Sequence, residues 1–266
     1  MRPNPRPTRE AIGAYYPPEY SPFAAQAPAG KRGLKGAAQN LFRRIYEARY
    51  PGAPYPMAGE PGRVVLDVGC GTGWFLQRFA EQGWETWGLE ISPTAAARAA
   101  DHGVEHVLQC AIEDAELPLA RFDLVTFRDS IEHAFDPRLA LEKAWQALKP
   151  GGIVELLTPD VNSLESRLFG RDWYALEVPR HLQLFTRETL ARLLGETGFE
   201  MLRWRPTAVP RGLHVSLDYW LESRFGVRIG TRHWRHMGLY HGLMPVSLGL
   251  ALAGTGMSLE VWARKR

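Results

Sequence analysis

The sequence has only two cysteines in 266 residues, Cys70 and Cys110, too few for a disulfide framework. It opens without a basic-then-apolar leader, and together these absences predict a reducing, cytoplasmic setting. Internal repeats and low-complexity tracts are lacking. With 45% hydrophobic and 23% charged residues, the composition excludes disordered and fibrous classes for most of the chain. Long apolar runs are also scarce. One stretch, 237–259, has no Asp, Glu, Lys or Arg, but it contains five glycines, Pro245 and His241. Its densest apolar part, 243–253, falls short of the roughly 20 residues needed to span a bilayer, so a buried or interfacial helix is expected there.

Positive and negative charge nearly balance, 32 Lys and Arg against 29 Asp and Glu, yet both flanks are basic and the middle, 51–200, is acidic. This predicts one central domain whose flanking segments meet an anionic partner or surface, or simply a solvated basic face. The first 60 residues hold ten of the 20 prolines. They read as an irregular arm over 1–30 and a helix near 36–50, where Leu41, Phe42, Ile45 and Tyr46 cluster. With Tyr15, Tyr16 and Tyr20, the segment 1–60 is a lid candidate. From Val64 onward, short apolar runs (64–68, 84–89, 104–109, 122–127, 153–158) alternate with helical segments, as in a parallel sheet covered on both faces. Ser92-Pro93 and Asp136-Pro137 are helix starts, and Lys149-Pro150-Gly151-Gly152 is read as the stop of the second helix. The expected fold is therefore α/β, a doubly wound Rossmann-like sheet with its ligand at the carboxyl ends of the strands. Further on, a helix near 163–169, an aromatic loop 171–185, a helix capped by Thr186, a strand at 199–205 and a last strand at 258–264 are expected. The division is an arm (1–60), a core (61–206), a helical insertion (207–257) and a final strand (258–266).

Gly69-Cys70-Gly71-Thr72-Gly73 follows the first strand and opens a helix, so its backbone N–H groups face a ligand at a helix N-terminus. A dinucleotide fingerprint would need glycine at position 74, where the chain has Trp74. Glu90, 21 residues after Gly69 at the end of the second strand, is placed to accept hydrogen bonds from a ribose diol. The segments LDVGCGTG (66–73), GLEIS (88–92), CAIEDAELP (110–118), FDLVTFRDSIEHAFDP (122–137), LKPGG (148–152) and PRHLQLFT (179–186) together resemble class I S-adenosylmethionine-dependent methyltransferases. Within them, the chain resembles the branch containing ubiquinone-biosynthesis O-methyltransferases. That resemblance implies a seven-stranded sheet and S-adenosylmethionine as cofactor. It places Asp67, Gly69, Cys70, Gly71 and Gly73 around the methionine and ribose, with Trp74 and Phe75 opening the following helix. It puts Glu90 on the ribose, Ile91 and Ile112 against the adenine, Glu113 near its amine, and Arg128 and Asp129 at the methionine end.

Methyl transfer to a hydroxyl needs alignment and a proton acceptor. His133 and His181 are the general-base candidates, each with a purely structural alternative, and Trp173, Tyr174 and Arg180 are expected on the substrate side. No His/Asp/Glu spacing resembles a closed metal-ligand set. The chain lacks the Asn/Asp-Pro-Pro-Tyr/Phe motif of amino-methylating nucleobase enzymes. It also has no cysteine after the fourth strand and no recognisable nucleic-acid module. A small hydroxylated metabolite, sugar or lipid-linked acceptor is expected, with an RNA- or protein-directed enzyme or a non-catalytic cofactor-binding protein as alternatives. Tyr219, Trp220, Leu221, Trp234, Leu239 and Tyr240, beside Arg211, Arg224, Arg228, Arg232 and Arg235, make 207–257 the expected acceptor-side wall. The same segment also reads as a peripheral membrane contact or a homodimerisation element.

Overall fold

The computed structural model describes residues 6–16, 62–229 and 237–266, together with Ile45, Ala48 and Arg49. The helix expected near 36–50 lies outside the described residues apart from those three, as do Tyr20, Arg232, Trp234 and Arg235.

After a single turn, α1 (Arg9–Ile12), the core runs β1 (Val64–Val68), α2 (Trp74–Ala80), β2 (Glu85–Leu89), α3 (Pro93–Asp101), β3 (His106–Leu108) and β4 (Phe122–Arg128). It continues through α4 (Pro137–Ala147), β5 (Leu148–Pro159), α5 (Leu164–Phe169), α6 (Arg187–Glu196) and β6 (Phe199–Thr207). Two helices, α7 (Pro210–Phe225) and α8 (Met237–Leu252), then separate β6 from β7 (Ser258–Lys265). The seven strands form one sheet in the order β3-β2-β1-β4-β5-β7-β6. The first five pair in parallel, and β7 is antiparallel to both neighbours. The chain steps outward from β1 to β3 and then returns to the far side of β1 as β4. That reversal makes the gap between β1 and β4 the topological switch point, where ligands bind at the carboxyl ends.

Local chemistry explains the elements. All five residues of β1 are buried, and they alternate between two clusters: Val64, Leu66 and Val68 pack on one face, Val65 on the other. Both faces are therefore covered, which is why the strand reads as a continuous apolar run. The helix starts follow the expected signals. Ser92 Oγ accepts from Ala95 N–H, Asp136 Oδ1 from Arg138 and Leu139 N–H, and Thr186 and Thr189 form a reciprocal capping box.

The Lys149-Pro150-Gly151-Gly152 segment departs from expectation. The helix stops earlier, at Ala147, because Leu148 is already extended (ψ 142°), and 148–152 runs on as the start of β5. Leu148 pairs with Phe122, and the register shifts before Leu124 pairs with Ile153. A third cluster, with Phe169, Trp173, Ala175, Leu184, Leu213 and Met257, joins α5, the 171–185 loop and α7 beside the sheet. Among the described residues, no helix is long and apolar enough to cross a membrane; α8 has 16 residues.

Candidate active site

A cavity of about 1180 Å³ lies across the switch point. That exceeds the usual 300–1,000 Å³ of a pocket for one small ligand. One end is built from the loop after β1 and the ends of β2 and β3. Gly69 (φ +77°) passes so close to the segment after β4 that a Cβ there would lie 2.8 Å from Ser130 Cβ. Gly71 (φ +55°) faces open space, with nothing within 4 Å of a Cβ position. Glu90 is fixed as an acceptor. Its Oε2 takes Gly71 N–H at 2.9 Å and its Oε1 takes Ser92 N–H at 2.8 Å, while the carboxylate still borders the cavity. Burial raises its pKa against those two donors. Ile91, 44% exposed, and Ile112 form apolar surfaces on the same lining, beside Trp74 and Phe75. Glu113 Oε1 accepts from Phe135 and Asp136 N–H and so ties the β3 loop to the segment after β4.

Asp67 also borders this end. It accepts the Thr126 hydroxyl at 2.6 Å, and burial pushes its carboxyl up to about 7. Cys70 lines the cavity as a buried thiol that burial drives upward, the form of an inert packing residue. Gly73 does not reach the lining. A Cβ there would lie 2.6 Å from Val104 Cγ2, so this glycine serves helix packing rather than the ligand space.

At the end of β4, Arg128 pairs with Glu155 and Glu260, and Arg205 of β6 pairs with Glu260. Trp262 Nε1–H donates to Glu155 at 3.2 Å, and Arg128 lies 4.5 Å over the Phe75 ring. Arg128, Asp129, Arg205 and Glu260 all face the cavity, with Asp129 in a left-handed conformation (φ +51°). The wall also includes Tyr174, Val209, Arg211, Leu248 and Met257. The base of the insertion thus borders the space, but Tyr219, Trp220, Leu221, Arg224 and Arg228 do not. Leu239 and Tyr240 lie on α8, where their side chains fall outside the described residues. Of the expected substrate-side residues, Tyr174 lines the cavity. Trp173, 2% exposed, is core of the third cluster, and Arg180 turns away to grip Glu177 Oε1 (Nε at 3.1 Å) and the Tyr15 carbonyl.

The two histidines, 48 positions apart in the chain, meet with ring centroids 4.8 Å apart. His181 Nδ1 lies 2.7 Å from the Ala175 carbonyl and Nε2 lies 3.0 Å from Glu177 Oε2. Both neighbours can only accept, so both nitrogens carry protons and the ring is an imidazolium. Burial alone would lower its pKa, but Glu177 and Glu132 outweigh it and raise it. Burial alone would likewise raise Glu177, but His181 and Arg180 hold it at about 2. His181 therefore has no lone pair with which to act as a base, contrary to expectation.

His133 Nδ1 lies 3.0 Å from the Arg180 carbonyl and 2.9 Å from Tyr16 Oη. Burial and the His181 charge hold His133 near 4, a neutral ring. Glu132 is fully buried. Its Oε2 accepts the Thr158 hydroxyl at 2.9 Å, its Oε1 has no partner, and burial raises it to about 7. One ligand-type atom each of Glu132, His133 and His181 lies within 4.8 Å of the others. Both His181 nitrogens already face acceptors, so the set is not free to close around a cation. Glu132 and Glu177 were not expected beside the two histidines, and Tyr16 was expected only as part of the lid candidate; the local signal was Glu132 beside His133.

A seven-stranded sheet of this order with one antiparallel strand, a glycine loop after β1 and an acid closing β2 define the class I S-adenosylmethionine-dependent methyltransferase fold. The chain belongs to the Methyltransferase domain family, which matches residues 39–203. It is 30% identical over 139 residues to the malonyl-[acyl-carrier protein] O-methyltransferase of Serratia marcescens, covering 51% of this chain and 52% of that protein. It is 31% identical over 155 residues to the ubiquinone biosynthesis O-methyltransferase of Alkalilimnicola ehrlichii, covering 50% of this chain and 62% of that one. The chain thus spans about half or somewhat more of the length of these relatives. An S-adenosylmethionine-dependent methyltransferase from Mesorhizobium loti shares the fold, with a TM-score of 0.55 at 21% identity over 88% of this chain and 100% of that one.

Proposed function

We propose that this chain transfers a methyl group from S-adenosylmethionine to a hydroxyl of a small-molecule acceptor. The observation that supports it most is one cavity with two chemically different ends. The first end fits the cofactor. Open space over Gly71 meets a carboxylate, Glu90, already oriented by two backbone N–H groups, with Ile91 and Ile112 as apolar faces for a purine. Asp67 and the Gly69–Gly71 backbone would hold the ribose and methionine, Glu113 the adenine amine, and Arg128 and Asp129 the methionine end. When bound, the cofactor supplies a methyl group on a sulfonium, so the protein has to align the acceptor and take up its proton.

The second end favours an amphipathic acceptor. Leu157, Pro159, Val209, Leu248 and Met257 give apolar surface, and Arg211 gives a cation suited to a carboxylate or phosphate. Val246, 50% exposed, lies on the charge-free helix α8, whose Leu248 lines the cavity. This supports an acceptor drawn from a lipid surface or carrying a lipid chain. The names of the relatives support oxygen as the methylated atom. The test is incubation of the full chain with methyl-tritiated S-adenosylmethionine and separate pools of hydroxylated metabolites, amines, RNA and peptides. Label is expected in the hydroxylated pool. Label in the RNA or peptide pool instead, or in none, would contradict this reading.

A further inference from the structure

Helix α5, the 3₁₀ turn that follows it (Gly170–Asp172) and α7 pack against one another beside the sheet. Leu164, Arg167 and Leu168 stand at i, i+3 and i+4, so they share one face of α5, and all three are exposed. Arg171, on the next turn, has its side chain 80% exposed. Asp172 accepts the Ser223 hydroxyl at 2.8 Å, which brings this face to the end of α7. There the chain is exposed without a break from Ser223 to Arg228, so Arg224, Phe225, Val227 and Arg228 all reach the surface. Leu168 and Phe225 are each 66% exposed.

The acids of these elements are buried or held. Glu165 is buried, and Asp218, also buried, accepts Ile229 N–H at 2.7 Å. Asp172 takes the Ser223 hydroxyl and lies 4.0 Å from Arg171, while Glu222 Oε1 takes Arg228 Nε at 2.6 Å. Among the described residues, Arg167 and Arg224 form no salt bridge, so the outward face carries net positive charge. Leu164 N–H donates to the Thr255 carbonyl at 3.4 Å, so α5 begins beside the turn after α8. Helix α8 has no Asp, Glu, Lys or Arg; its Val246 is 50% exposed and its Leu248 lines the cavity.

We propose that this face, with Leu164, Leu168, Phe225 and Val227 interleaved with Arg167 and Arg224, is a docking surface for a bilayer rich in anionic lipid. Leucine and phenylalanine enter the acyl boundary, while arginine lays its stem on apolar surface and its guanidinium on phosphate oxygens. An interface between two copies of the chain is built differently, because its core is depleted of charge. Here cations stand between the apolar side chains. The surface does not depend on what the cavity transfers, so its test stands apart from that of methyl transfer.

The experiment is co-sedimentation of the full chain with vesicles of phosphatidylcholine alone and of phosphatidylcholine and phosphatidylglycerol in equal parts. Wild type is expected to sediment with the anionic vesicles and not with phosphatidylcholine alone. Each arginine near an anionic surface contributes roughly fivefold in partition, so Arg167→Ala/Arg224→Ala should lower binding about 25-fold. Leu168→Ser/Phe225→Ser should lower it about tenfold or more. All four positions are exposed, so both variants are expected to keep the thermal unfolding of wild type. No binding to anionic vesicles, equal binding to both kinds of vesicle, or unchanged binding in either variant would overturn the proposal. So would a concentration-dependent dimer in sedimentation velocity that Leu168→Ser/Phe225→Ser abolishes, because the face would then belong to a second copy.

Discussion

Gly73 and Glu177 show how single residues set the geometry around the cavity without a shared role in it. At Gly73 (φ +78°) an added Cβ would meet Val104 Cγ2 at 2.6 Å and Ala99 Cα at 3.3 Å. Left-handed strain and overlap then combine, and Gly73→Ala is expected to cost about 2–4 kcal/mol. Urea denaturation reads this directly; an unchanged midpoint would contradict the packing account. The Glu177–His181 pair makes a different prediction, with opposite pH limits from its two members. Glu177, at about 2, adds stability that is present above its unfolded value near 4.3 and lost as pH falls through 2. His181 is raised, so its contribution is complete below its unfolded value near 6.5 and lost as pH rises through the folded value. The pair should stabilise most between about pH 4.5 and 6.5. Glu177→Gln is expected to cost about 3 kcal/mol at pH 5.5, with the difference shrinking toward pH 2. A penalty independent of pH would show that the pair is not ionised as described.

Helix α5 holds a carboxyl that no neighbour among the described residues satisfies. Glu165 is 1% exposed, neither oxygen has a hydrogen-bond partner, and burial raises it to about 7. A raised folded pKa gives stability that is complete below about 4.3 and lost as pH climbs through 7. Glu165→Gln should therefore be more stable than wild type at pH 8, on the order of 2–3 kcal/mol, and nearly equal to it at pH 4. Thermal unfolding at the two pH values checks this, and equal differences at both would contradict it. At the element scale the strands and most helices were legible, because β1 buries both faces and Ser92, Asp136 and Thr186 cap in sequence-local ways. Lys149-Pro150-Gly151-Gly152 was not. Whether such a run ends a helix or begins a strand depends on Phe122, 26 positions before Leu148, which pairs with it. Trp173 was misplaced for a related reason: it is buried in a cluster to which α5 and α7 contribute as well as its own loop.

At the scale of the whole molecule, the meeting of Gly71, Glu90 and Ile112 on one cavity lining was readable because the segments after β1, β2 and β3 reach one sheet edge by topology alone. The cluster of Tyr16, His133, Glu177 and Arg180 could not be read in the same way, because it draws on three distant segments. Both Nδ1 atoms face a backbone carbonyl, and what separates the two rings is Glu177, whose Oε2 meets His181 Nε2. The Glu90 end of the cavity is expected to bind S-adenosylmethionine. Isothermal titration calorimetry with S-adenosylmethionine, on wild type and Glu90→Ala, tests it most directly, with NAD as the competing ligand. Wild type is expected to show saturable one-site binding, with a loss of about 1.5–3 kcal/mol (roughly ten- to hundredfold) in Glu90→Ala with the fold intact, and no saturable binding of NAD. Equal affinity in the two proteins, or tighter binding of NAD than of S-adenosylmethionine, would contradict it.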